Sequence, residues 1–393
     1  MKSFKADYIF PVCAEPIKNG IVTVDDTGKI VSVTDQNSAA AASPGVPVKK
    51  VSGAICPGFI NTHCHLELSH LKGKINKKTG LINFIKQVQD QRKTETEKTI
   101  LEAAVKADYT MMENGIVAVG DIANTGATVA IKAASKLYYH TFVETFGFIP
   151  AQAKQVFDKA LALLNEFKPQ SCSVTPHAAY SVSKELFKLI RNYSQNTENL
   201  ISLHNQESEE ENKFYRYKLG DFNDLYAHFG INIDFFKPQA RNSLQSVIPL
   251  LSNKQDVLLV HNTYTNLKDI YFLKRFDHKI NWCFCPNANL YIEGRLPKIE
   301  LFFEQGFNIT LGTDSLASND HLCILTEMRT LQQKYPSITT ATLMEWGTIN
   351  GAKYLGIDDE KGTIEAGKTP GLNLITNLDG LKITPETKVK RLV

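Results

Sequence analysis

The sequence predicts a (β/α)8 barrel of the TIM type carrying a small β-sandwich domain formed by both termini. The first observation is a series of eight short apolar, β-branched runs, most of them followed by a segment of helical periodicity. The second is a turn-punctuated strand pattern confined to the two ends of the chain. The third is size, because 393 residues accommodate one large domain and one small one.

The eight runs are Ala54–Thr62, Ile116–Asp121, Tyr138–Phe146, Ser171–Pro176, Leu200–His204, Val257–His261, Asn281–Cys285 and Asn308–Asp314. Helix-like segments lie between and after them, among them Thr96–Glu113, Ala151–Phe167, Ser183–Tyr193, Leu267–Arg275 and Leu322–Lys334. Eight such βα units closing on themselves make a barrel. The interval between the fifth and sixth runs is too long for one helix, and Tyr217–Gln245, with its Gly and Pro breaks, reads as an insertion over the barrel mouth. Met1–Gly53 reads as short strands with a turn at Asp25-Asp26-Thr27-Gly28, and Gly362–Ile375 resumes strand-like alternation. The expected division is therefore residues 1–53 with 356–393 in the β-sandwich and 54–355 in the barrel.

With 43% hydrophobic and 22% charged residues the chain can bury a sizeable core. Its 44 basic and 41 acidic residues leave a formal charge of +3, too small a field to capture nucleic acid or an anionic membrane. The expected partner is a small, roughly neutral molecule. The segment MKSFKADYIFPVCAEPIKNG lacks the apolar core and cleavage site of a signal peptide, and no run of about 18 apolar residues occurs, so the expected location is the cytoplasm. Oligomeric state is not encoded in any motif; a homodimer, the commonest assembly, is the default expectation. The 7 cysteines are scattered and set mostly in apolar runs, as reduced core thiols are. Cys283 and Cys285, two apart on a strand, lack the spacing of a structural zinc knuckle.

Ligand-type residues gather at the C-terminal ends of the predicted strands, the end where barrels build active sites. His63 and His65 end the first run two residues apart, so both imidazoles point the same way. His204 follows the fifth, His261 the sixth and Asp314 the eighth. One histidine at a strand end is usually a satisfied core or loop residue. Five such positions on one rim point instead to a metal centre.

This pattern, with Pro57-Gly58-Phe59-Ile60-Asn61 ahead of the histidine pair and Gly362-Thr363-Ile364-Glu365-Ala366-Gly367-Lys368 near the end, resembles the amidohydrolase superfamily over nearly the full length. One departure is Thr369-Pro370-Gly371, where many relatives have an Ala-Asp pair. Binuclear members bridge their metals with a lysine or carboxylate at strand four, but Gln170–Val182 contains neither. The resemblance therefore implies one divalent ion held by His63, His65, His204 and Asp314, with His261 facing the metal-bound water. Zinc suits such nitrogen-rich ligands, and iron(II) is also accommodated.

His204-Asn205-Gln206-Glu207 is similar to the deaminase and chlorohydrolase branch, which implies that Glu207 carries a proton to a ring nitrogen. Glu209, Glu210 and Glu211 then read as the start of a charged, solvated helix. The implied reaction is attack of metal-activated hydroxide on a ring carbon bearing an amino group, with Asp314 taking the water's proton and ammonia leaving. His261 would orient the water and stabilise developing charge. Pro176-His177-Ala178-Ala179-Tyr180 resembles the segment of adenosine-type deaminases whose histidine contacts substrate. Phe84 lies where relatives place an aromatic over the base, and it also reads as an ordinary helix core residue.

His65-Leu66-Glu67-Leu68-Ser69 and Asp314-Ser315-Leu316-Ala317-Ser318 narrow the resemblance to aminodeoxyfutalosine deaminases of the menaquinone pathway. Neither Glu67 nor Ser318 has an independent chemical argument, and either fits a loop-holding role. Alternatives are deaminases of S-adenosylhomocysteine, methylthioadenosine, guanine or cytosine, or hydrolases that displace chloride or cleave an amide. An inactive barrel acting as a binding protein is the reading from another class. The H-x-E and Pro-Cys-x-x-Cys deaminase design is excluded, because no Pro-Cys-x-x-Cys occurs, and so are H-E-x-x-H metalloproteases.

Overall fold

Gly58 is where the chain passes from one sheet system to the other in the computed structural model, which describes residues 1–35 and 46–393. Ala54–Pro57 pairs antiparallel with Leu372–Thr376 and parallel with Tyr8–Ile9, whereas Phe59–Cys64 pairs parallel with Ile116–Ala123. The single run expected over Ala54–Thr62 is thus two strands, and Ala54–Pro57 belongs to the terminal sheet rather than the barrel. A Cβ at Gly58 would stand 2.2 Å from Val117 Cγ1 and 2.7 Å from the Pro370 carbonyl. The backbone crosses there because no side chain fits, and an apolar run does not say which sheet it joins.

The terminal domain has two sheets. Lys2–Lys5, Ile21–Val24, Ile30–Thr34 and Val48–Lys50 form the first. Tyr8–Ile9, Ile17–Lys18, Ala54–Pro57, Leu372–Thr376 and Lys388–Arg391 form the second. Phe4, Val22 and Ile30 share one core with Ile9, Ile55 and Leu374, so apolar burial joins the sheets. The alternation expected across Gly362–Ile375 is a strand only from Leu372. Gly362, Gly367 and Gly371 all take positive φ and turn the chain before it.

The barrel consists of two parallel four-stranded arcs. Phe59–Cys64, Ile116–Ala123, Tyr138–Thr145 and Ser171–Pro176 make one, and Ile201–Asn205, Asp256–His261, Lys279–Phe284 and Asn308–Leu311 the other. Single bridges, Cys64 to Asp314 and Ala178 to His204, close the two seams at the C-terminal rim. Side chains reinforce the thin ladder there. Asn61 Nδ2 donates to Thr313 Oγ1 at 2.7 Å across the first seam, and Ser202 N to Thr175 Oγ1 at 2.8 Å across the second.

The helices Glu97–Glu113, Ala153–Phe167, Lys184–Asn196, Leu267–Leu273 and Ile324–Lys334 stand where the periodicity put them. Thr96 and Ser183 cap two of them by accepting from Thr99 N and Leu186 N. The insertion does cover the mouth. Its Phe236 stacks on Phe214 at 4.6 Å and its Tyr226 on Phe148 at 4.9 Å, while the Tyr226 hydroxyl donates to the Tyr180 carbonyl. Among the described residues no helix is long and apolar enough to cross a membrane.

Candidate active site

The first strand delivers His63 and His65 from alternate positions on one face, and the seams bring the other arc's residues to them. His65 Nε2 lies 3.1 Å from His63 Nε2 and 3.3 Å from His204 Nε2. Asp314 Oδ1 completes the group at 3.4 Å from His65 Nε2 and 3.8 Å from His63 Nε2. The eighth strand ends at Leu311, short of the expected Asp314, and the chain then turns through Asp314 at φ 55°. Thr313 N and Asp314 N both donate to the His63 carbonyl at 3.1 Å, which fixes the turn against the first strand.

These separations test whether a cation fits. Donors about 2.0–2.1 Å from a tetrahedral zinc stand about 3.3 Å from one another; the three contacts of His65, with His63, His204 and Asp314, lie close to that value, and Asp314 stands somewhat farther from His63. The histidines are also in the right protonation state. Burial first, then the charge of neighbouring imidazoles, holds His63 well below the ordinary histidine range and His65 and His204 at about 3. All three are neutral at physiological pH, as ligation requires. His204 Nδ1 donates to the His177 carbonyl at 3.0 Å, leaving Nε2 for the centre, and His63 Nδ1 is 3.5 Å from Ser202 Oγ. The donor set suits one divalent ion.

His261 and Glu207 stand beside this cluster. Asn289 Oδ1 accepts from His261 Nδ1 at 2.9 Å, turning His261 Nε2 toward Glu207 Oε2 at 3.7 Å. Glu207 is buried, and desolvation, followed by the charges of Asp314, Glu293 and Glu211, pushes its carboxyl well above the usual range. A protonated carboxyl is what a proton donor needs. The expectation of a solvated helix start is corrected at Glu211, which is fully buried. Its carboxylate accepts from Gln206 N at 3.2 Å and Glu207 N at 3.3 Å, so it shapes the turn that presents Glu207.

A cavity of about 600 Å3 opens above the cluster and is lined by His65, His177, His204, Glu207, His261 and Asp314 at its base. His177 gives its Nδ1 hydrogen to Ser181 Oγ at 2.6 Å and packs against Phe146 with ring centroids 4.2 Å apart. Phe84, on the helix Leu81–Gln91, is also on the wall. Glu67 accepts from Asn124 N, Thr125 N and Thr125 Oγ1, holding the loop after the second strand. Ser318 Oγ donates to Asp314 Oδ2 at 2.6 Å, fixing the carboxylate.

Sequence reasoning missed Glu144, at the end of the third strand. Its Oε1 is 3.5 Å from His204 Nδ1 and its Oε2 accepts from Asn124 Nδ2 at 2.9 Å, and burial pushes its carboxyl up to about 8. The signal was available, an acid at the rim end of a barrel strand. Asn289 was missed as well; only its position in space distinguishes it from other loop asparagines.

Known proteins are similar to this chain in sequence and in fold. A relative from Helicobacter pylori named adenosine deaminase is 27% identical over 362 residues, covering 88% of this chain and 85% of its own length. The crystal structure of Helicobacter pylori aminofutalosine deaminase with methylthio-coformycin superposes with a TM-score of 0.83 over 100% of both chains at 22% identity. A zinc-bound adenosine deaminase from Xanthomonas campestris matches at 0.75 over 98% of this chain and 86% of its own, at 21% identity. The profile of the amidohydrolase family matches residues 54–390. The chain therefore belongs to the amidohydrolase family and is a hydrolase acting on C–N bonds.

Proposed function

We propose that this chain is a one-metal hydrolytic deaminase of 6-aminopurine nucleosides, with aminodeoxyfutalosine the first substrate to test. The observation that carries the reading is the convergence of His63, His65, His204 and Asp314 at ligand spacing, with a buried Glu207 carboxyl on the same cavity base. The relative named adenosine deaminase and the fold shared with aminofutalosine deaminase support the purine ring.

His63, His65, His204 and Asp314 would hold zinc, which supplies Lewis acidity and brings the pKa of water toward neutrality. The chain's own groups manage the protons. Glu207 gives its proton to the ring nitrogen beside the attacked carbon, which makes that carbon a better electrophile. Asp314, fixed by Ser318, accepts one proton of the attacking water and passes it to the departing amino group, so nitrogen leaves as ammonia. The second water proton returns to Glu207, and the product keeps the ring proton. His261, oriented by Asn289, holds the water on its attack line.

Ammonia release from the zinc-loaded protein tests this, with aminodeoxyfutalosine, methylthioadenosine, S-adenosylhomocysteine, adenosine, guanine and cytosine as substrates and His63→Ala as control. Metal-dependent release from adenine nucleosides, lost in the control, is the expected result. Release of chloride or a carboxylate from other substrates, with none of ammonia, would overturn it.

A further inference from the structure

The ring of His65 is aimed differently from those of the other two histidines in the cluster. His204 gives Nδ1 to the His177 carbonyl and His63 Nδ1 approaches Ser202 Oγ, whereas among the described residues no hydrogen bond is made by His65 Nδ1. The strand ladder does not hold this stretch either. Along the first two barrel strands Asn61 pairs with Val119 but Cys64 with Asp121, three steps against two, so the ladder is interrupted at Thr62 and His63. A bulge of this kind re-aims side chains at the cost of backbone pairing. Another contact must then set the turn that carries His65.

Asp121 makes that contact. Its Oδ1 accepts from Leu66 N at 2.8 Å, one residue past His65. Its Oδ2 lies 2.6 Å from Lys132 Nζ, and both side chains are fully buried. Lys132, on the helix Val129–Ala134, also donates to Thr141 Oγ1 at 3.0 Å and lies over the rings of Phe167 and Tyr139 at 4.8 and 5.6 Å. Neither Asp121 nor Lys132 lines the cavity, so their role is not substrate contact. Well-packed apolar residues are often at least as stabilising as a buried ion pair, so stability alone does not account for this one. What it supplies is direction: the ammonium engages one carboxylate oxygen and leaves the other for a single backbone N–H. Resting on the one-metal reading, we propose that Asp121, held by Lys132, is a positioning residue that sets His65 at ligand distance by fixing the backbone after it.

Two neutral double variants of the full chain isolate the hydrogen bond from the charge, because a single change strands a buried ion and threatens folding. Lys132→Met with Asp121→Asn keeps an oxygen for Leu66 N; Lys132→Met with Asp121→Leu does not. Chelator competition measures zinc affinity, the visible spectrum of the cobalt(II)-loaded protein reports ligand geometry, and urea unfolding of the metal-free protein reports stability. The Asn double should bind zinc within about threefold of wild type and keep its cobalt bands. The Leu double should bind about 10–100-fold more weakly with altered bands, as when a ligand loses its orienting partner. Lys132→Met with Asp121→Ala takes the place of a Leu double that does not fold. Equal zinc affinity in the folded doubles, whether kept or lost, would overturn the assignment and leave the metal centre standing. A wild type that takes up no stoichiometric zinc would overturn the one-metal reading and this inference with it.

Discussion

Glu207 and Ser318 separate chemistry from ligation at the level of single residues. Glu207→Gln removes a movable proton but no ligand, so it should retain a full equivalent of metal while turnover falls by about 10²–10⁴. Metal analysis beside the ammonia assay checks this, and an active variant would remove Glu207 from the mechanism. Ser318→Ala frees Asp314 from its 2.6 Å hydrogen bond and should weaken zinc by about 10–100-fold in a chelator competition, as loss of an orienting partner does. The ligand types were legible because a barrel places chemistry at strand ends. Glu144 carried the same strand-end signal and was passed over, because a single acid near the end of the apolar run Tyr138–Thr145 reads as an interruption of a core strand. The role of Ser318 was invisible for another reason: a serine four residues after Asp314 looks the same whether it bonds the carboxylate or water.

Strand ends and seams decide whether those residues meet. Gly312, just past the eighth strand, has room for no side chain: a Cβ would lie 2.8 Å from His63 Cβ and 2.9 Å from Cys283 Sγ. Gly312→Ala should therefore displace His63 and weaken metal binding by more than it lowers stability, a comparison that zinc titration and urea unfolding make together. At Gly58 the neighbours belong to the sheet crossing, so Gly58→Ala should cost about 1–3 kcal/mol in unfolding with the metal site spared once folded. Period and length identified the barrel strands and the long helices. They did not reveal the break at Gly58, because Ala54–Ile60 carries no polar side chain and both strands are buried on both faces. Nor did they show that Gly362–Gly371 is turns, since alternating small and polar residues read alike in a strand and in a series of bends.

Metal, fold and reaction are linked across the whole molecule. The two arcs join through single bridges that involve Asp314 and His204, so an ion held by both also ties the seams. Zinc should therefore raise the unfolding midpoint, by about 4 kcal/mol of stability when free metal stands a thousandfold above its dissociation constant. Calorimetry with and without a chelator measures the shift. The central claim, one metal serving one deamination centre, is tested most directly by titrating the metal-free protein with zinc while following ammonia release from aminodeoxyfutalosine or methylthioadenosine. The account predicts activity that rises linearly and saturates at one equivalent. Activity that needs a second equivalent, or no ammonia at any loading, would contradict it.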